Sequence, residues 1–296
     1  MIIFKDDITK GKDQDIYERI MAFLQSHEPA LALLYARLWT DQQNALTYQE
    51  IREAIEAGEI GLDTVEAWRQ DYSHFIREKL MPQWREAMEA GSKQTAEHLH
   101  NESYNPYGNS VQDWMEKHSA ERVVDITENQ RTAINGLVQR AVTLQNETPD
   151  SLAVVIRPTI GLYPQQAQAN LRYYQTVKQT LQDAGSSAER ATRQAQHKAL
   201  IYAGKQHRYR AQMIARTELM FAYNAGEIGS VRQAISDGMM MPTTMKRWST
   251  AKDARVCPEC QELSGITIPV DRLFPGDYDA PPAHPHCRCV LVYVEQ

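Results

Sequence analysis

Between residues 15 and 100, apolar side chains recur at intervals of three and four: Ile16, Ile20, Phe23 and Leu24, then Leu31, Leu34, Tyr35 and Leu38. That spacing places them on one face of a helix and predicts an α-helical assembly. Asp63, with Glu66 three residues later, has the spacing of a capping box ahead of Val65, Trp68, Phe75 and Leu80. Asn101 to Asp113 contains Asn105, Pro106, Gly108 and Asn109 and is expected to be a connector. Thr127 with Gln130 predicts the capped start of another helix, ending near Gln145. Thr148 to Pro164 must bend, because it carries Pro149, Pro158 and Pro164. Ala167, Leu171, Tyr174, Val177 and Leu181 form the next stripe, which Gly185-Ser186-Ser187 ends.

After Gly238 the pattern changes. Thr243 to Trp248, Ile266 to Val270 and Val290 to Val294 are short and rich in branched or aromatic residues. The last two alternate with period two and read as strands. The loop from Asp271 to Pro285 holds four prolines and a glycine, so it is irregular. The fold class is therefore α+β: mostly α-helical N-terminal and central regions with a small C-terminal β-rich module. The expected segments are 1–120, 121–238 and 239–296. Met239-Met240-Met241, at the start of the last, is expected to pack inside, with partner docking as the lesser reading.

Composition narrows the class. The 296 residues carry a formal charge of −6, the mean hydropathy is −0.55, and no apolar run approaches the roughly 20 residues of a membrane span. The opening MIIFKDDITKGKDQD lacks the order of a secretory signal, so a soluble intracellular protein is expected. Charge is unevenly placed: residues 188–216 carry Arg190, Arg193, Lys198, Lys205, Arg208, Arg210 and Arg216 against Glu189 alone. Such a stretch reads first as a solvated helix face and second as a weak DNA contact. Only Tyr202 and Tyr209 would be available for stacking on bases.

All four cysteines fall within 33 residues, at 257, 260, 287 and 289. In a reducing compartment C-x2-C followed by C-x-C points to a metal before a disulfide. Thiolate and imidazole donors favour zinc, and four protein ligands make a closed structural site. The most economical set is Cys257, Cys260, Cys287 and Cys289; the tighter bite of C-x-C leaves His284, or else His286, to replace one of the second pair. A small module of strands and Pro-rich loop makes a poor core without such a staple. A catalytic zinc would need an open position and a general base, for which Glu259 and Asp253 are the nearby candidates.

Ala215-Arg216-Thr217-Glu218 and Asn224 form a second constellation, with Thr217 and Asn224 on nearly one helix face. They are expected to form hydrogen bonds that hold this helix to the β module. Asp253 and Arg255, between Trp248 and Cys257, read as a turn or ion pair. The chain contains no phosphate-binding Gly-rich loop, H-E-x-x-H or G-x-S-x-G motif.

Taken in order, Ile214-Ala215-Arg216-Thr217-Glu218 with Asn224, then Trp248 to Cys257 with Asp253, Arg255, Cys260, Leu263 and Gly265, then Pro281 to Cys289, resemble the phage head morphogenesis family of phage Mu protein F-like minor head proteins. The resemblance covers roughly residues 125–296. It implies a tailed-phage or prophage structural protein, carried in the virion head and present in the host cytoplasm during assembly. It further implies portal and capsid or procapsid partners, a role in head assembly and DNA packaging or delivery, and no enzymatic activity. Some relatives carry a passenger domain after the Cys-Arg-Cys motif; only Val290 to Gln296 follow here, so none is expected at that end. Two other readings stay open: a zinc-dependent nuclease or peptidase, and a DNA-binding protein ejected with the genome.

Overall fold

A computed structural model describes residues 4–5, 12–99, 105, 108–142, 147–251 and 253–294. Its helices are α1 (Lys12–Ala45), α2 (Tyr48–Ala57), α3 (Leu62–Phe75), α4 (Met81–Leu99), α5 (Asn109–Val142), α6 (Pro149–Ile156), α7 (Pro164–Asp183), α8 (Ala188–Ser236) and α9 (Pro258–Leu263). Four short strands, β1 (Phe4–Lys5), β2 (Met245–Ser249), β3 (Ile266–Pro269) and β4 (Val290–Val294), form one antiparallel sheet in the order β1-β3-β2-β4. The fold is thus α+β, with the sheet drawn mainly from the C-terminal segment.

Two sequence expectations about helix starts are corrected. α3 begins at Leu62 with Gly61 as its N-cap and no side-chain cap, so Asp63 lies inside the first turn and the Asp63/Glu66 capping box does not form. Thr127 and Gln130 lie within the unbroken α5 and are buried, and Gln130 bonds to Tyr72 and Gln42 in the interior instead of capping a helix end. The capping box of this region is instead Thr47 with Glu50, at the start of α2. Of the expected connector, residues 101–104 and 106–107 lie outside the described residues, as do 143–146 at the expected end of the next helix. The proline-rich bend is present and includes α6, capped by Thr148 and followed by a single 3-10 turn at Arg157–Thr159.

The chain forms two compact units, each discontinuous in sequence. One comprises the described residues of Met1–Leu31, Lys79–Lys117 and Gln212–Gln296; the other comprises Ala32–Glu78 and His118–Ala211. In the first, α4 and α8 approach at backbone contact. A β-carbon on Gly226 would overlap the Met88 backbone, and one on Gly91 would overlap the carbonyl of Tyr223. Only glycine permits that separation. Beside it Tyr223 Oη donates to Gln94 Oε1 at 2.6 Å, and Gln94 Nε2 donates to Glu227 at 2.9 Å. Burial pushes the Glu227 carboxyl up to about 8.

The sheet is covered on both faces. Val290, Leu291 and Val292 are all buried, and so is every residue of β2, including Lys246 and Arg247. Alternation in β4 therefore does not separate a wet face from a dry one. Ile228, Val231 and Ala234 of α8 pack with Met240 and Val270. Met240 alone of its triplet is buried; Met239 and Met241 are exposed. The buried cations are compensated: Lys246 Nζ donates to Asp279 Oδ1 at 2.6 Å, and Arg247 pairs with Asp13 at 2.9 Å.

The second unit is built around aromatic side chains. Trp39 Nε1 donates to Tyr72 Oη at 3.2 Å, which donates to Gln130 at 2.7 Å, and Tyr35 packs on Phe75. Arg210, counted in the basic stretch, is fully buried here: it lies over the rings of Tyr163 and Trp39 and donates to the Gly161 carbonyl. The 188–216 stretch is consequently not a continuous basic surface.

Candidate metal centre

Cys257 caps the N-terminus of α9, where Pro258 presets the first helical residue, and its sulfur accepts from the Cys260 N–H at 3.4 Å. This turn aims both sulfurs at His284. Its Nε2 lies 3.0 Å from Cys257 Sγ and 3.1 Å from Cys260 Sγ. The other ring nitrogen, Nδ1, is 2.8 Å from the Pro285 carbonyl and must donate to it, which leaves Nε2 as a bare lone pair in the neutral ring. That is the form in which histidine ligates a metal.

His286 adopts a φ of 62° and turns the chain, and the Cys287 N–H closes onto the His284 carbonyl at 3.1 Å. Cys287 Sγ then stands 3.8 Å from Cys260 Sγ. Two donor triads result, Cys257–Cys260–His284 and Cys260–Cys287–Cys289, each with its ligand atoms within 4.8 Å, and Cys260 belongs to both. A cavity of about 20 Å³ opens onto them, enough for one water-sized species. Tetrahedral zinc with sulfurs at about 2.3 Å spaces them about 3.8 Å apart, as Cys260 and Cys287 are. The donor set therefore fits a metal of the zinc type.

The protonation pattern follows from mutual hydrogen bonding. The Cys289 thiol donates to Cys287 and lowers it to about 5, while burial pushes the Cys260 thiol up. Trp248, Leu263, Ile268, Phe274 and Leu291 enclose the cluster with Cys260, Cys287 and Cys289.

Of the other residues singled out from sequence, Asp253 receives both Arg288 guanidinium donors at 2.6 Å and is bonded to Arg255. Arg288 holds its carboxyl well below the usual range. Glu259 accepts from Tyr278 Oη at 2.7 Å, tying the Pro-rich loop to α9. Arg216 reaches Glu28 at 3.6 Å and Met21 Sδ at 3.1 Å, and its charge adds to burial in holding His286 below its ordinary pKa. Thr217 and Asn224 each donate to the carbonyl four residues earlier, Met213 and Met220, so these bonds stay within α8. Glu218 is buried. Sequence reading missed Asp13, which also accepts from Ser249 Oγ at 2.8 Å; a partner more than 230 positions away leaves no local signal.

Residues 165–292 match the family model of phage Mu protein F like proteins. Over this span the chain is similar to that family. Its Cys/His cluster, Trp248 and the Arg216-Thr217-Glu218 helix all lie within the matched residues, in agreement with the ordered motifs. No curated protein and no solved structure matches the chain. No helix among the described residues is long and apolar enough to cross a membrane.

Proposed function

We propose that the protein is a structural minor head protein of a tailed phage or prophage, associated with the portal and acting in head assembly and DNA packaging or delivery, with a zinc-stapled C-terminal module. The observation that carries this reading is the closed thiolate–imidazole cluster inside the Mu F-like span. Zinc would be held by Cys257, Cys260, His284 and Cys287, with Cys289 donating to Cys287. Bound there, the metal would supply cross-linking of α9 to the 284–289 turn, and four protein donors leave no place for a reactive water. The two carboxylates that the sequence offers as general bases are engaged elsewhere, Asp253 with arginines and Glu259 with Tyr278. This favours a non-enzymatic role over a zinc nuclease or peptidase. The expected locations are the virion head and, during assembly, the host cytoplasm.

The test is co-sedimentation with portal rings and procapsids, followed by mass spectrometry of purified heads. Binding to portal, and presence in heads at a few copies, is expected. Chelator-sensitive cleavage of DNA or capsid protein that is lost in Asp253→Ala, with no portal binding, would replace this reading with the enzymatic one.

A further inference from the structure

The second unit carries two exposed patches of opposite charge. Between residues 190 and 208 of α8 stand Arg190, Arg193, Lys198, Lys205 and Arg208, with no Asp or Glu, and all five are exposed. Only Arg193 has an ion-pair partner among the described residues, the exposed Glu189 at 3.2 Å. On an ideal helix Arg190, His197, Ile201 and Arg208 fall within about 40° of one another, over a length of about 27 Å. Lys198 and Lys205 flank them. The opposite side is the buried alanine row Ala191, Ala195, Ala199 and Ala203. Ile201 is thus an apolar residue, 49% exposed, set among cations.

The same unit holds the complement. Residues 53–66, which span the α2–α3 turn, contain Glu53, Glu56, Glu59, Asp63 and Glu66 and no Lys or Arg. All five are exposed, and between them Leu62 is 77% exposed. Five exposed cations share a stretch of α8 with Ile201, and five exposed carboxylates share the α2–α3 segment with Leu62, Glu66 among them being paired with Arg69 at 3.6 Å. We infer that the protein self-associates, the acidic α2–α3 turn of one copy docking on the basic face of α8 of another. A second copy fits better than a nucleic-acid backbone, which would match the cations but leave Ile201 without an apolar partner. Opposite charges also steer encounter between chains that each carry −6 overall.

Sedimentation velocity on the full chain tests this. The average mass is expected to exceed 33.8 kDa at about 20 mM salt and to return to it near 0.5 M salt, where the screening length falls to a few ångströms. Lys198→Glu/Lys205→Glu/Arg208→Glu and Glu53→Lys/Glu56→Lys/Glu59→Lys should each be monomeric alone, with far-UV spectra unchanged, and should associate when mixed. A native chain that stays at 33.8 kDa in low salt, variants that associate like native, or a mixture that fails to associate would overturn the inference. So would retention of duplex DNA through the basic face without self-association.

Discussion

The helical core of the second unit and the core beneath the C-terminal sheet are filled in different ways. The former buries Trp39, Tyr35, Tyr72 and Tyr174, large side chains whose apolar area holds the helices together. The latter has eight buried members, of which Cys260, Cys287 and Cys289 are three. A thiol contributes less apolar area than a leucine or an aromatic ring. On the function proposed above, the sheet module depends on a metal held by its sulfurs, while the helical unit depends on what its rings exclude.

The largest effect should come from breaking that dependence directly. Chelation, or Cys260→Ala, should raise hydrogen exchange across β2, β3 and β4 by orders of magnitude while most of the helical far-UV signal persists, since structural zinc contributes on the order of 10 kcal/mol in small modules. Equal loss in both regions would erase the contrast. On the helical side, Trp39→Ala should cost about 4 kcal/mol in denaturant unfolding and leave metal content unchanged.

Glu227 gives a pH-dependent comparison. Its folded pKa of about 8 lies above the ordinary 4.5, so the unfolded chain loses this proton first. Its contribution to stability is complete below pH 4.5 and falls as pH rises toward 8. Glu227→Gln should be more stable than native at pH 8, on the order of 3 kcal/mol, and should converge with it near pH 4.5 in paired denaturant titrations. Gly226→Ala, which forces a methyl group into the Met88 backbone, should cost about 2 kcal/mol at any pH. The smallest effect is expected from Asp253→Asn, which weakens the Arg288 pair but should leave zinc content unchanged by elemental analysis.

How much of this was legible in the sequence depended on distance along the chain. The helices, the three C-terminal strands and the Cys/His cluster rest on periodicity or spacing, and each was readable. The capping-box reading of Asp63 and Glu66 failed because an acidic residue in a helix's first turn has the same local appearance as a cap. Thr127 and Gln130 failed because the partner that makes Gln130 a core residue, Tyr72, is 58 positions away. Arg210 was read through its charge, while its burial depends on Tyr163 and Gly161, which only the fold brings near. Among the donors, the sequence put Cys289 in the most economical set and left His284 as a replacement for one of the second pair. The 3.0 and 3.1 Å contacts of His284 with Cys257 and Cys260 favour it.

On the function proposed above, this cluster is a single closed zinc site including His284. Elemental analysis of the reduced native chain alongside Cys289→Ala and His284→Ala tests it most directly. About one zinc per chain in native and Cys289→Ala protein, with loss in His284→Ala, is the predicted result. Native protein free of zinc with four freely titrating thiols would contradict it.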